Sequence, residues 1–550
     1  MRVRARALIL KGTVPIALGA FTVAGCGGGD GGADGGPDPA SLAPASSPLY
    51  IEAAVQPEGS VRSGTLGVLG QMLDDKNPGA ALRREVDRSL REAGAGIKFR
   101  QDIQPWLGSR AGMFLTGLGG DSAIAIATDD PDQALAAANR AAKRMDPRQQ
   151  RRSYKGVQFS VDSDFDAHGM IGDFLVLGNA RGFRAAVDAS KGESLADDMT
   201  FQDTLAMSRD TALAGMYLRL RRLLRGAEGD DEGAALRARV LGAALGATAR
   251  QPIVATVTPT EDSVTLDVIS ASPPGAGPPM PSEALLNLPS DAWAGLGLTN
   301  LADTLGDAVR AVESSGEEGT GAEEIRAALD AATGLDLDED ILAWPQDMGL
   351  FAHGTSIEEF GVALLIFSSD AVASQRAIAK LAQQAREGTL AGADELDTDQ
   401  PDTTPAPTAP VPVPPGTDAP TGPIETAPIG GEGFTLTFTS LPEPIEIQAS
   451  DDRVVIGYGT ATDRALEPPA EQTLGDTALF KRAASALGEG YAINGVLSFP
   501  PALTFLAGTG LADDPRFNRA RPFLAGLSFL ALGSSRTGQR STLRAVVGLK

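Results

Sequence analysis

The sequence predicts an α+β fold made of two tandem related halves, each a largely antiparallel sheet with helices packed on it. Three observations support this prediction. Strand-like hairpin segments alternate with helical patterns, which favours an α+β arrangement over a doubly wound sheet. A block of strand, turn and helix occurs twice. The chain has 550 residues, of which 42% are apolar, enough to build two hydrophobic cores.

The repeated block is the strongest sign of internal duplication. Its first copy begins with the apolar segment 173–178, which is followed by Leu195, Asp197 and Phe201. Each of these positions has a counterpart at one constant offset later in the chain, so the spacing inside the block is unchanged. The counterparts are 452–457, Leu474, Asp476 and Phe480. A fixed internal spacing of this kind is typical of a duplicated structural unit.

Changes in composition divide the chain into segments. Runs of Gly, Asp and Pro are typical of tethers and linkers, because they bury too little apolar surface to fold. The predicted segments are a signal peptide (1–26), a flexible tether (27–47), a first α+β repeat (42–270), a Pro/Gly linker (271–282) and a second α+β repeat (283–550).

The individual elements follow from alternating apolar residues, caps and turn residues. Asp130 followed by Pro131 predicts the start of a helix. Predicted strands of the first half are 49–55, 111–116, 122–128, 157–161, 174–178, 215–220, 253–258 and 264–269. Predicted helices there are 62–74, 79–93, 130–144, 181–190, 199–207 and 231–246. Predicted strands of the second half are 361–367, 434–438, 492–499, 523–532 and 541–549.

A second pair of similar segments is separated by fewer residues than the two copies of the repeated block. Asp102 and Trp106 match Asp340 and Trp344. The difference between the two offsets corresponds to the length of a Pro/Thr-rich insertion at 390–432, which we predict to be disordered. A role as a ligand for a proline-binding partner or as a glycosylated stalk stays open. The two Trp residues are predicted to anchor the core rather than to stack on a ligand.

The N-terminal segment 1–26 has the features of a targeting segment. A basic start is followed by an apolar stretch over 7–24 and the ending Val-Ala-Gly-Cys at 23–26. This ending resembles the lipobox of bacterial lipoprotein signal peptides. The resemblance implies cleavage between Gly25 and Cys26 and acylation of Cys26 with diacylglyceryl and palmitate groups. An uncleaved membrane helix or a buried cysteine is the alternative, although the apolar run is short for a membrane span.

Composition argues against several binding classes. A net charge of −24 disfavours charge-driven binding to nucleic acid or to an anionic membrane. The single Cys excludes intramolecular disulfides and Cys-based zinc sites. The acidic runs 162–166 and 336–340 have alternate carboxylates that suit Ca²⁺, but Ala167 and Ile341 stand where a calcium loop needs Gly. We therefore predict acidic turns, no metal site and no cofactor.

Catalytic signatures are not apparent in the sequence. His168 and His353 are followed by Gly in turn-like contexts, and we find no Gly-x-Ser-x-Gly elbow and no phosphate-binding loop. The basic stretch 219–225 has no interleaved aromatic residues. We interpret it as a solvent-facing strand end and helix start, with contact to lipid headgroups as the alternative. The sequence therefore predicts that the protein is not an enzyme.

The lipobox, an opening strand with Leu42, Pro44 and Tyr50, and the duplicated block together resemble a family of bacterial envelope lipoproteins of unknown function that is common in actinobacteria. The resemblance implies an extracytoplasmic, membrane-anchored, two-repeat protein, and it supplies no catalytic residues. We expect a non-catalytic binding or interaction role for an unknown envelope ligand or protein partner, with a site between the repeats. The alternative is a lipid carrier or envelope-assembly factor that holds an acyl chain against a half-open sheet; a continuous apolar cavity would favour it.

Overall fold

The computed structural model describes residues 36–73, 77–117, 120–208, 210–225, 251–272, 277–313, 334–387, 425–429, 432–438, 441–466 and 472–550. The predicted signal peptide with Gly25 and Cys26, the first part of the tether, the helix 231–246 and most of the insertion lie outside these residues. The chain forms two compact units. Unit 1 comprises the described residues up to 272 together with 536–550, and unit 2 comprises 277–535.

The strands of unit 1 form an antiparallel sheet in the order β4-β5-β6-β7-β3-β2-β1-β8-β9-β10. The strands are β1 (Leu49–Ala54), β2 (Leu107–Leu115), β3 (Ser122–Thr128), β4 (Gln150–Tyr154), β5 (Val157–Val161), β6 (Asp166–Ile171), β7 (Phe174–Asn179), β8 (Ala214–Leu218), β9 (Ile253–Pro259) and β10 (Ser263–Ala271). Strands β4 and β6 were not predicted from the sequence, because both carry polar and charged residues in place of an apolar alternation.

Helices pack on this sheet. They are α1 (Gly59–Leu73), α2 (Pro78–Glu92), α3 (Pro131–Met145), α4 (Ala180–Ala189), α5 (Met199–Gln202) and α6 (Leu220–Arg225). The predicted cap of α3 is confirmed, since Asp130 accepts a hydrogen bond from the Gln133 N–H at 3.0 Å. The predicted helix 199–207 is instead α5 followed by a 3-10 turn, Ala206–Ser208.

The strands of unit 2 are also antiparallel, in the order β14-β15-β16-β17-β13-β12-β11-β18-β19. They are β11 (Ala294–Leu298), β12 (Pro345–His353), β13 (Gly361–Ser368), β14 (Glu425–Ile429), β15 (Glu432–Thr437), β16 (Ile445–Ala449), β17 (Arg453–Gly459), β18 (Ala492–Ser498) and β19 (Leu527–Thr537). The helices are α7 (Glu283–Leu286), α8 (Leu301–Glu313), α9 (Ala371–Glu387), α10 (Ala461–Leu466), α11 (Ala478–Leu487), α12 (Phe499–Gly508) and α13 (Pro515–Ala525).

Strand order is the same in both units. Each strand from β4 to β8 in unit 1 has the same neighbours as the strand numbered ten higher in unit 2, and the same holds for β1 to β3; β19 follows β18 as β9 follows β8. All of these pairings are antiparallel, and helices accompany both sheets. The predicted α+β class is therefore confirmed.

The last strand, β20 (Arg540–Leu549), belongs to unit 1 rather than to the second half, where the sequence placed it. It pairs with β10 from Ser263 opposite Gly548 to Ala271 opposite Arg540. Inside this pairing Arg544 and Asp267 form a two-pronged ion pair at 2.7 and 2.8 Å. Continuous backbone pairing with a charged clamp explains why the C-terminal strand is held in unit 1.

The repeated block has the same local structure in both copies. Ser194 and Asp197 form a capping box around a 3-10 turn, and Thr473 and Asp476 form another. In a capping box each side chain accepts from the backbone N–H of the other residue, which explains the fixed spacing of the two residues. The buried Leu195 that follows Ser194 donates its N–H to the Ala43 carbonyl at 2.7 Å, as Leu474 does to that of Leu288.

The core of unit 1 begins earlier than the sequence analysis predicted. The segment Pro39–Leu42 is a 3-10 helix capped by Asp38, and Ala40 and Leu42 are buried in the main core with Phe183. The flexible tether predicted over 27–47 therefore does not extend through these residues. The apolar Pro, Ala and Leu side chains of this segment are buried against the sheet, which removes their surface from water.

The predicted insertion also ends earlier than expected. Residues 425–429 form β14, which pairs with β15 from Glu425 opposite Thr437 to Ile429 opposite Gly433. In the strand order of unit 2, β14 occupies the place that β4 occupies in unit 1. Residues 425–429 and Glu432 of the segment 390–432 are therefore part of the sheet.

Candidate ligand-binding groove

Both histidines lie in buried structural positions rather than in turns. His168 is in the middle of β6, and its Nε2 is 2.9 Å from the Asn139 side-chain oxygen on α3. His353 ends β12, and its Nε2 is 3.2 Å from the Thr460 hydroxyl. Burial lowers the pKa of both imidazoles. Each ring is therefore neutral near pH 7 and engaged with a polar neighbour.

Unit 2 places a hydroxyl, an imidazole and a carboxylate close together, a grouping that the sequence did not reveal. Beyond its contact with Thr460, His353 has its Nδ1 3.9 Å from the Asp291 carboxylate. That distance exceeds a hydrogen bond, and Arg464 forms the close ion pair with Asp291. A hydrolytic triad needs a carboxylate bonded to the imidazole. The geometry therefore favours a structural role for His353.

The first acidic run, 162–166, is an acidic turn, as predicted. The Asp162 carboxylate accepts hydrogen bonds from the N–H groups of Asp164 and Asp166, both at 2.9 Å. Asp166 is half-buried, and one of its oxygens is buried without a hydrogen-bond partner among the described residues. Burial, followed by the charges of Asp162 and Asp164, raises the pKa of Asp166 to about 7. This carboxyl is therefore partly protonated at neutral pH.

The second acidic run does not form the solvated turn that was predicted. Asp336 caps a single helical turn, Leu337–Ile341, by accepting from the Asp338 and Glu339 N–H groups. Asp340 is only 1% exposed and forms an ion pair with Lys380 at 2.5 Å. Within the described residues, no three His, Cys, Asp or Glu side chains are arranged to hold a metal ion.

The two equivalent Trp residues anchor the core, which confirms the prediction for them. Trp106 is 4% exposed and donates its indole N–H to the Asp102 carbonyl at 2.5 Å. Trp344 is 7% exposed and donates to the Asp340 carbonyl at 2.7 Å. Each ring is thus fixed by its own preceding turn.

The basic stretch 219–225 is only partly exposed to solvent. The Arg219 side chain is 13% exposed and forms an ion pair with Asp198 at 2.5 Å. Its guanidinium also lies over the Tyr217 ring, 5.1 Å from the ring centroid. Arg219 therefore joins the end of β8 to the start of α5, whereas Arg221 and Arg222 are exposed.

An apolar groove lies on the outer face of the unit 2 sheet, opposite the face on which Phe351 is buried. Its cavity volume is about 200 Å³, and all of its lining residues are apolar. Leu350, one of its lining residues, is 38% exposed, so the groove is accessible to solvent. A cavity of about 150 Å³ is known to hold benzene, whereas pockets for drug-sized ligands begin at about 300 Å³. The groove therefore suits a short alkyl segment.

Backbone pairing explains the position of the hollow. Ala294 on β11 pairs with Ala352 on β12 and, on its other side, with Leu497 on β18. Val362 lies beyond Ala352, and Leu530 lies beyond Leu497. Two methyl side chains therefore occupy the middle of a row whose ends carry larger side chains, and space remains above them.

The equivalent row in unit 1 contains larger residues at these two positions. Equivalent positions of the two units are found from a pair of buried residues in each. Tyr50 pairs with Phe114 in unit 1, and Gly295 pairs with Phe351 in unit 2. The next pair of residues along these strands differs in size between the two units. Unit 1 has Leu49 opposite Leu115, and unit 2 has Ala294 opposite Ala352.

A third exchange of a large for a small residue follows in the neighbouring row. Ile51 pairs with Met216 in unit 1, and Leu296 pairs with Gly495 in unit 2. The small side chains of Ala294 and Ala352 thus coincide with the groove, and Gly495 pairs with two of its lining residues, Leu296 and Leu532. Comparing the two halves position by position could have revealed these exchanges, but only once the strand register was known.

Four half-buried aromatic residues lie next to the groove. Val362 pairs with Tyr458 on β17, and the Tyr458 ring lies 6.4 Å from that of Phe360. Phe360 stacks on Phe505 of α12 at 4.2 Å, and Phe505 lies 6.4 Å from Trp293. Only 5% of the chain is aromatic, so this concentration gives the groove a rigid apolar neighbour.

Comparison with known proteins identifies a family without an assigned activity. A family model described as "Protein of unknown function (DUF3352)" matches residues 30–492. The comparison with curated proteins gave no match. Among the described residues, no helix combines the length and the apolar character needed to span a bilayer.

Similarity to solved structures is remote. Crystal form I of TP0453 is 8% identical, with a TM-score of 0.25, over 44% of this chain and 80% of that chain. Crystal form III of TP0453 is also 8% identical, with a TM-score of 0.24, over 44% of this chain and 82% of that chain. Similarity at this level carries no argument about function.

Proposed function

Because the chain belongs to the DUF3352 family of proteins of unknown function, we propose a function from its own residues. The protein is a membrane-anchored, extracytoplasmic binding lipoprotein without catalytic activity, and its groove in unit 2 binds an alkyl segment of an envelope ligand. The groove is the observation that carries this proposal. Its lining residues are all non-polar, it is accessible to solvent, and it lies where unit 1 has larger side chains.

The anchor is supported by the sequence around Cys26. The ending Val-Ala-Gly-Cys places the only thiol of the chain where lipoprotein processing acylates it. Each methylene group that enters the bilayer contributes about 0.8 kcal/mol, so two acyl chains hold a protein stably at a membrane. In this proposal the anchor holds the folded units outside the cytoplasm, in a bacterial envelope.

The two units are repeats of one ancestral unit in this proposal. Their strands have the same neighbours, and the capping boxes at Ser194 and Thr473 occupy equivalent places. Duplication leaves one copy free to lose side chains that the other retains. Leu49 in unit 1 and Ala294 in unit 2 are an example, and the smaller side chain of Ala294 lines the groove.

A non-catalytic role is supported by the contacts of the polar residues that sequence analysis selected. His168 and His353 are neutral and buried, and Asp340 is paired with Lys380. Each of these three groups already has a polar partner within the fold, an arrangement typical of structural networks.

A lipid carrier that encloses a complete acyl chain is the second candidate, because the groove is apolar. Its volume of about 200 Å³ favours a ligand that inserts only part of its alkyl chain. Burial of about five methylene groups would contribute about 4 kcal/mol to binding.

Native mass spectrometry of the purified lipoprotein tests the groove. We expect a bound mass that is present under native conditions and lost under denaturing conditions, because the ligand is held non-covalently. The acyl groups on Cys26 provide the internal control, since they remain attached in both spectra. Identical protein masses under the two conditions would count against a co-purifying ligand.

The anchor has its own test in Cys26→Ser. We expect this variant to lose labelling by an alkyne fatty acid and to leave the membrane fraction, because serine offers no thiol for acylation. Ser46→Ala serves as the control and should behave as the wild type. Continued labelling and membrane retention of Cys26→Ser would contradict the anchor.

A further inference from the structure

One short part of unit 1, separate from the basic stretch 219–225, carries a high density of positive charge. The whole chain has a net charge of −24, yet residues 140–155 contain seven basic residues and one acidic residue, Asp146. This stretch covers the end of α3 and the strand β4. The basic residues are Arg140, Lys143, Arg144, Arg148, Arg151, Arg152 and Lys155. The local charge is therefore opposite in sign to that of the protein as a whole.

The structure gathers part of this charge around Tyr154. The Lys155 ammonium lies 5.6 Å from the Tyr154 ring centroid, and the Arg184 guanidinium on α4 lies 5.7 Å from it. Lys191 donates to the Lys155 carbonyl. Asp188 accepts from the Tyr154 hydroxyl at 3.2 Å and pairs with Lys155 at 2.6 Å. We define the basic surface as Arg152, Lys155, Arg184 and Lys191, all of them exposed.

Protection of a sheet edge does not account for this surface. Within the described residues β4 pairs only with β5, and exposed edge strands often carry charges that prevent pairing with another chain. This explanation covers Arg152, but Arg184 and Lys191 do not lie on the edge strand. In unit 2 the edge strand β14 has the sequence Glu-Thr-Ala-Pro-Ile and contains no basic residue. The residue of unit 2 that corresponds to Arg184, by the offset of the repeated block, is the acidic Asp463. The basic surface is therefore not a general property of the repeat.

We propose that the basic surface binds the anionic phospholipid headgroups of the membrane to which the protein is anchored. Guanidinium groups match phosphate oxygens with two parallel donors. Tyrosine suits the headgroup region, because its ring is apolar and its hydroxyl is polar. Each basic residue close to an anionic leaflet contributes about 1 kcal/mol. The surface thus orients unit 1 on the membrane.

The length of the chain supports this partner, and here the inference rests on the proposed anchor. Ten residues lead from Cys26 to Gly36, and at about 3.5 Å per residue they span at most about 35 Å. Gly36 lies against Ser109 on β2, in unit 1. Acylation of Cys26 therefore keeps unit 1 close to the headgroups.

Hydrogen exchange of the acylated full-length protein on vesicles tests the proposal. We expect slower exchange at 150–155 and 181–191 on vesicles with phosphatidylglycerol than on vesicles of phosphatidylcholine alone. The difference should disappear in about 1 M salt, where charges are screened within about 3 Å. Inorganic phosphate added to phosphatidylcholine vesicles should give no protection, and protection there would overturn the assignment to a headgroup surface.

Charge reversal provides the matched comparison. Arg152→Glu, Arg184→Glu and Lys191→Glu combined should abolish the protection. Arg84→Glu, Arg88→Glu and Arg91→Glu on α2 change the net charge equally and should retain it. Equal exchange on the two vesicle types in the wild type, or retained protection in the first variant, would overturn the proposal. The acyl anchor is expected to keep all variants on the vesicles. Release of the wild-type protein from the vesicles would therefore show that the proposed anchor fails, which is a different result from failure of the basic surface.

Discussion

Replacing Ala294 and Ala352 by leucine is expected to weaken the binding of a fluorescent fatty acid by at least tenfold. The two substitutions restore the pair of residues that unit 1 has in Leu49 and Leu115. Their six added carbon atoms would occupy much of a cavity of about 200 Å³. Loss of burial for two methylene groups alone costs about 1.6 kcal/mol, which exceeds the roughly 1.4 kcal/mol of a tenfold change.

These positions suit the experiment because space is already present at them. Gly495, the third small residue, is less suitable, since a Cβ there would lie 3.1 Å from both the Gly295 carbonyl oxygen and the Leu296 side chain. A substitution at Gly495 would crowd the sheet beside the groove. Ala294 and Ala352 are half-buried residues of central strands with the hollow beside them.

Ala545→Leu is the matched control. It makes the same chemical change on a half-buried strand position, in β20 of unit 1, opposite Leu266. We expect this variant to bind the probe as the wild type does, and all three proteins to unfold at similar temperatures. Undiminished probe binding by the folded Ala294→Leu/Ala352→Leu protein would show that the groove is not the ligand site.

The repeated block illustrates what sequence alone could predict. Leu195 and Leu474 are buried, and Asp197 and Asp476 complete capping boxes, so their spacing is fixed by contacts within a few residues. Local contacts of this kind leave a direct trace in the sequence. The same holds for Asp130, which caps α3.

Strands of polar composition could not be recognised from the sequence in this way. The sheet edge β4 reads Gln-Arg-Arg-Ser-Tyr, and its first four residues are exposed. Its pairing depends on backbone hydrogen bonds to β5, which any sequence can provide. His168 on β6 was interpreted as a turn residue for the same reason, since the neighbouring Gly169 suggested a turn rather than a tightly packed strand.

The groove could not have been predicted without the register of five strands. Ala294 and Leu497 lie far apart in the chain, yet they pair directly. Each small residue is ordinary in its own strand. Together they form a hollow only because backbone pairing places them side by side, and the comparison with unit 1 gives that hollow its meaning.

The equivalent positions Asp102 and Asp340 offer a second prediction with a built-in comparison. We expect Asp340→Ala to lower the free energy of unfolding by about 3 kcal/mol, because it removes one partner of a buried, charge-assisted contact. The Asp340 carboxylate is 1% exposed, pairs with Lys380 at 2.5 Å and accepts from the Asp336 N–H at 2.9 Å. Chemical denaturation of the variant and the wild type measures the difference.

Asp102→Ala should cost only about 1 kcal/mol, although the local geometry is the same. Asp102 pairs with Arg140 at 2.8 Å and accepts from the Lys98 N–H at 2.9 Å. Its side chain is 24% exposed and that of Arg140 is 57% exposed, so water replaces much of the lost interaction. Equal losses at the two positions would contradict burial as the cause of the difference.

The pH dependence of the Asp340 contribution follows from the same contacts. Burial raises the pKa of Asp340, but the hydrogen bonds from Lys380 and the Asp336 N–H outweigh it and leave the pKa below its ordinary value. A lowered pKa in the folded state stabilises the protein above the unfolded pKa of about 3.9, and this stabilisation is lost as the pH falls through the folded pKa. The stability difference between wild type and Asp340→Ala should therefore shrink on acidification. A difference that stays constant from pH 7 to the acid limit of folding would assign the loss to packing rather than to charge.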